Sequence, residues 1–134
     1  MMTQVEHIGI AVKDLAVSNE LFTKLLGVKP YKEEGVASEG VMTSFFQVGK
    51  TKIELLEGTS PESPITKFIE KKGEGIHHLA FEVENIYTEM ERLKNEGFTL
   101  LNEVPKPGAD NKLVCFLHPK GTNSVLVELC QNID

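Results

Sequence analysis

Tryptophan is missing from this chain of 134 residues, and cysteine occurs only twice, at Cys115 and Cys130. Two cysteines without CxxC spacing support neither a disulfide framework nor a thiolate metal cage, so they read as small core residues in a reducing compartment. No apolar stretch approaches the length of about 20 residues that spans a bilayer, and MMTQVEHIGI has no basic region ahead of an apolar run. The expectation is a soluble cytoplasmic protein with no membrane partner. Basic residues are in the minority, 14 against 20 acidic for a formal charge of −6, and no basic block is interleaved with aromatics. That argues against nucleic acid as a partner. An anionic small molecule remains compatible with the negative sum, since a few lysines near one cleft matter more to it.

What the chain does have is length for one domain, 1–134, large enough to bury roughly two thirds of its unfolded surface. It also says the same thing twice. QVEHIGIAV alternates as a strand, and DLAVSNELFTKLLG follows as a helix whose stripe is Leu15, Leu21, Phe22, Leu25 and Leu26, with Asp14 as cap and Gly27 as stop. Extended runs around VKPYKEE, GVMTSFFQV and TKIELLEG complete a first module at about 4–59. After a connection, 60–75, in which ITKFIEKK reads as a short helix, the order recurs over 76–131: strand from GIHHLAFEV, helix in ENIYTEMERLKNEGF, then TLLNEV, KLVCFLH and SVLVELC. Overlaying the two modules places His7 on His78 and Glu54 on Glu128. A repeat of this length is a duplicated supersecondary unit, and two such α+β units pairing their sheets would share one cleft.

Neighbours on a strand point to opposite faces, so His77 and His78 cannot serve one site. Ile8, Ile10 and Val12 suit a helix-covered face, which leaves His7 with Gly9 and Ala11; Leu79, Phe81 and Val83 do likewise, which leaves His78 with Ala80 and Glu82 and makes His77 structural. Ile53 and Leu55, and Val127 and Leu129, turn Glu54 and Glu128 to the histidine side. Two imidazoles and two carboxylates suit a borderline divalent ion, and an octahedral one would keep two positions for substrate. His7, Glu54, His78 and Glu128 are therefore the expected metal ligands.

The same residues carry a resemblance. HIGIAV, IEL, HHLAFEV and VLVEL, in this repeated order, resemble the vicinal oxygen chelate superfamily of glyoxalase I and the extradiol dioxygenases. More narrowly, SPITKFIEKKGEGIHHLAFEV and FLHPKGTNSVLVELCQ are similar to its acyl-CoA epimerase branch. The resemblance implies paired βαβββ modules in an eight-stranded, half-open barrel-like sheet around a metal cleft, and a homodimer. It also implies a divalent cofactor, Co2+ first with Mn2+, Ni2+ or Zn2+ as alternatives, and interconversion of the C2 epimers of methylmalonyl-CoA through an enolate chelated by that metal. Its metal histidines fall on His7 and His78 and its last ligand on Glu128, while Glu54 stands where some members have glutamine. Some members also carry a glutamate just after a GV dipeptide, where GVMTSFF has Thr43. Glu54 and Glu128 are accordingly the candidate acid/base residues as well as ligands. Lys50, Lys52, Lys112 and Lys120 are candidates for CoA phosphates, and His118 either approaches the substrate or caps its loop. The alternatives are glyoxalase I, with the same ligand order, and a metal-free drug-binding protein of the same fold, for which nine aromatics and no tryptophan are a poor lining.

Overall fold

The computed structural model describes residues 1–133 and is of the α+β class. The chain forms two compact units, His7–His77 and, as the second, Met1–Glu6 with the described residues from His78 onward. Each contains a mixed four-stranded sheet, so the eight expected strands are present as two sets of four.

In the first unit, β1 (Met2–Ala11), from His7 on, is followed by α1 (Leu15–Leu26), β2 (Lys32–Val36), β3 (Val41–Val48), β4 (Thr51–Gly58) and α2 (Pro64–Lys72). The strand order is β2-β3-β4-β1, antiparallel except for the parallel β4–β1 pair. Its α1-side core is Val12, Leu15, Phe46 and Leu55, with Ile10, Phe22, Leu26 and Ile53 packed against it. Leu21 and Leu25 were expected in the same stripe but are 60% and 70% exposed. At roughly 100° per residue, Leu15, Phe22 and Leu26 nearly coincide, while Leu21 and Leu25 fall about a quarter turn or more away. The opposite face of this sheet is partly covered by α2, through Ala11, Val41, Leu56 and Ile65.

The second unit contains β5 (Gly75–Val83) from His78 on, α3 (Ile86–Asn95), β6 (Lys106–Gly108), β7 (Lys112–Leu117) and β8 (Val127–Asn132), in the order β5-β8-β7-β6. Its main core joins Val83, Ile86, Met90, Leu93, Cys115, Leu117, Val127 and Leu129. Cys115 is wholly buried, and desolvation pushes its thiol above the ordinary range, which keeps it unreactive. The sixth strand was expected at TLLNEV and lies instead at Lys106–Gly108. Leu100 makes only an isolated bridge to Leu117, and the Asn102 side chain accepts from the Phe116 N–H at 3.0 Å, so a side chain takes the place of a further ladder bond.

The repeat extends to the helix caps. Asp14 accepts from Val17 N at 3.1 Å, while Leu15 N donates to Glu57 Oε1 at 2.6 Å. Asn85 accepts from Thr88 N at 3.1 Å, while Ile86 N donates to Gln131 Oε1 at 2.7 Å. Each α1- or α3-type helix thus has two free N–H groups met by a local cap and by a side chain from the fourth strand of its own unit. Among the described residues, no helix is long and apolar enough to cross a membrane.

Gly58 closes β4 beneath α2, where a Cβ would stand 2.0 Å from Thr66 Oγ1 and 2.9 Å from Thr66 N. The backbone atom cannot rotate away. Gly58→Ala is therefore expected to lower stability by about 1–3 kcal/mol, as overpacking does, and a denaturant midpoint shifted down at constant m-value would register it. An unchanged midpoint would mean that α2 moves aside without cost.

Candidate metal and proton-transfer site

Ladder register decides which side chains share a face. In the first unit Gly9 lies opposite Glu54, with His7 opposite Lys52 and Ala11 opposite Leu56. His7, Gly9 and Ala11 therefore share a face with Lys52, Glu54 and Leu56, the face away from α1. His7 Nδ1 stands 3.1 Å from Glu54 Oε2, and the two residues are only 5% and 6% exposed.

The second unit repeats the arrangement. Ala80 lies opposite Glu128 on β8, which in turn faces Phe116 on β7, so His78, Ala80 and Glu128 share the face away from α3. His78 Nε2 stands 3.0 Å from Glu128 Oε1, both are buried, and the Phe116 ring meets the imidazole edge-on at 5.7 Å. The aromatic edge fixes one plane of the ring. Cys130, Ala80 and Val114 form a small apolar cluster on the same face.

Each unit thus holds one buried imidazole beside one buried carboxylate at corresponding strand positions. Burial of such a pair in the absence of other functions is costly, because both groups lose hydration that a single contact replaces in part. The donor set suits a borderline divalent ion, whereas calcium or magnesium would favour oxygen alone. The residues present therefore fit the metal that the sequence implies.

Other expected residues fall elsewhere. His77 packs edge-on against Phe68 of α2 at 4.9 Å, the structural role assigned to it. Lys112 is buried, with its ammonium 3.7 Å from Glu6 Oε2 and bonded to Asn132 Oδ1, so it is a core cation and not a surface contact for phosphate. Glu82 accepts from Thr3 Oγ1 at 3.3 Å and is an anchor for β1. His118 Nδ1 accepts from Lys120 N at 3.1 Å, which makes it the cap of the 3-10 turn at Pro119–Gly121.

Two residues that the sequence did not single out join the His7–Glu54 face. Lys32 lies opposite Phe45, itself opposite Glu54, and Glu34 lies opposite Thr43. Lys32 Nζ is 3.2 Å from Glu34 Oε1 and 5.2 Å from the Phe45 ring centre. Alternation along KEE was the available signal: Glu33 points the other way, where Asn19 of α1 donates to it at 3.1 Å.

Comparison with known proteins brings these features together. The family model of the glyoxalase/bleomycin resistance protein/dioxygenase superfamily matches residues 6–116. An ethylmalonyl-CoA/methylmalonyl-CoA epimerase from Cereibacter sphaeroides is 41% identical over 133 residues, covering 98% of this chain and 99% of its own. The crystal structure of methylmalonyl-CoA epimerase from Mycobacterium tuberculosis superposes with a TM-score of 0.95 at 32% identity, covering 99% of this chain and 90% of that one. A methylmalonyl-CoA epimerase in complex with methylmalonyl-CoA and NH4+ gives a TM-score of 0.95 at 30% identity, over 98% and 96% of the two chains.

Proposed function

This chain belongs to the glyoxalase/bleomycin resistance protein/dioxygenase superfamily, and from that premise we propose that it interconverts the C2 epimers of methylmalonyl-CoA with a divalent ion held by His7, Glu54, His78 and Glu128. The observation that carries the reading is the pair of buried imidazole–carboxylate contacts, 3.1 Å in one unit and 3.0 Å in the other, at equivalent places in the repeat. The names of the relatives supply the substrate; those two contacts supply the chemistry.

Epimerisation removes the C2 proton and returns one to the opposite side. When bound, a divalent ion supplies positive charge for the thioester oxygen that gains electron density as the proton leaves. The protein's part is to hold that charge in place and to provide proton carriers. His7 and His78 would offer ring nitrogens to the ion, each held beside a carboxylate neighbour. Glu54 and Glu128 carry the negative charge, and either can take a proton when its carboxylate is not engaged by the ion. Two carboxylates offset the formal charge of a divalent ion, so the site is softer as a Lewis acid than one with glutamine at position 54. Cobalt is the first expectation for the ion.

Metal analysis of the purified protein and deuterium wash-in test this together. We expect about one divalent ion per chain, solvent deuterium appearing at C2 of methylmalonyl-CoA, and loss of both after a chelator with recovery on adding Co2+. Turnover of the methylglyoxal–glutathione hemithioacetal in place of methylmalonyl-CoA would reassign the chain to glyoxalase chemistry. A metal-free protein that turns over neither would leave only the fold.

A further inference from the structure

We infer that Glu34 is a second proton carrier, serving the side of C2 turned toward the His7–Glu54 face while Glu54 stays with the ion and Glu128, once disengaged from it, serves the other side. This rests on the epimerase reading above. Two-sided proton transfer needs two groups, and a carboxylate engaged by a cation is a poor base because the cation favours its ionised form. A carboxylate that shares the face without being a ligand answers that need.

The ladder places few candidates there. On the face that carries His7 and Glu54, the registers put Lys32, Glu34, Phe45, Thr43, Gln47 and Lys52. Glu34 supplies the carboxylate among them. Thr43, its partner across the β2–β3 rung, is buried and short, so nothing bulky stands at that position between Glu34 and the next strand. Opposite residues of an antiparallel pair have Cβ atoms about 5 Å apart, so a glutamate at 34 projects over the place a residue at 43 occupies. Glu34 is partly exposed, and its contact with Lys32 Nζ at 3.2 Å turns it along the strand toward the row of Phe45 and Glu54. Partial exposure is useful to a proton carrier, because the proton it takes must exchange with solvent.

The step balances simply. The C2–H bond breaks, the proton forms an O–H bond on the Glu34 carboxylate, and the C–H electron pair moves onto the thioester oxygen as the enolate. Delivery of a proton to the opposite side of C2 from Glu128 completes inversion, and the reverse sequence serves the other epimer.

Glu34→Gln tests this, compared with wild type for metal content, melting temperature, epimerisation rate and deuterium wash-in from each separate epimer. The expected result is epimerisation about 10²-fold slower, with metal and melting temperature unchanged. Wash-in should persist from the epimer whose proton faces Glu128 and collapse from the other. In Glu34→Gln with Thr43→Glu, the carboxylate moved across the rung should recover at least about tenfold of the loss. Epimerisation within threefold of wild type, or equal loss of wash-in from both epimers, overturns the role of Glu34 and leaves the epimerase standing. Wild-type protein that exchanges neither epimer overturns the epimerase reading, and this inference with it.

Discussion

Replacing His78 by alanine is expected to abolish epimerisation to within the limit of assay, at least about 10³-fold below wild type, and to release the ion. Loss of a group that only orients a metal ligand already costs about 10- to 100-fold in affinity or activity, and His78 is proposed as a ligand itself. Its removal also leaves Glu128 buried with its 3.0 Å partner gone, a carboxylate whose charge would then be poorly compensated. The informative control is one residue away. His77→Ala removes an imidazole of the same chemistry that packs on Phe68 of α2, and turnover should stay within about threefold because that group faces away from Glu128. Metal content and initial rate, measured on both variants after matched circular dichroism spectra, would check the pair. If His77→Ala lost the metal and His78→Ala kept it, the assignment of strand faces would be inverted and the proposed site with it.

That control works because strand alternation was readable from the sequence. Small residues beside His7 and His78, and apolar ones on the alternate positions, place each histidine on the same strand face as its glutamate. The contacts of 3.1 Å and 3.0 Å follow from that pattern. The duplicated order of elements was equally legible, since a strand, a helix and three extended runs recur in the same order in both halves. What failed to show was whatever depends on a distant segment. Leu21 and Leu25 look like core in a helix read alone; only the direction from which the sheet approaches tells that they point outward. Lys112 reads as a surface cation until β1 brings Glu6 to it. TLLNEV has the composition of a strand, but Asn102 takes the Phe116 N–H with its side chain. Glu34 carries no signal of its own in the sequence, because KEE has the composition of a solvated run.

Leu129→Ala is expected to separate stability from chemistry more sharply than any substitution near the ligands. Leu129 sits between Glu128 and Cys130 on β8, and its side chain points the opposite way, fully buried in the core with Ile86, Leu93, Cys115 and Leu117. Truncating a buried leucine costs about 2–5 kcal/mol, from lost transfer energy plus the cavity left behind. Against a whole stability of about 5–15 kcal/mol this is a large share, so a fall in melting temperature of many degrees should follow. The backbone ladder of β8 to both neighbours involves no side chain at 129, so Glu128 keeps its direction in molecules that remain folded. Denaturant unfolding should show the lower midpoint, while the rate per folded, metal-loaded molecule at low temperature stays within about threefold of wild type. Leu21→Ala, on the exposed side of α1, should move the midpoint little. A variant at 129 that stayed stable but lost its turnover would show that the core behind β8 sets the aim of Glu128, and that the two faces of the strand are coupled.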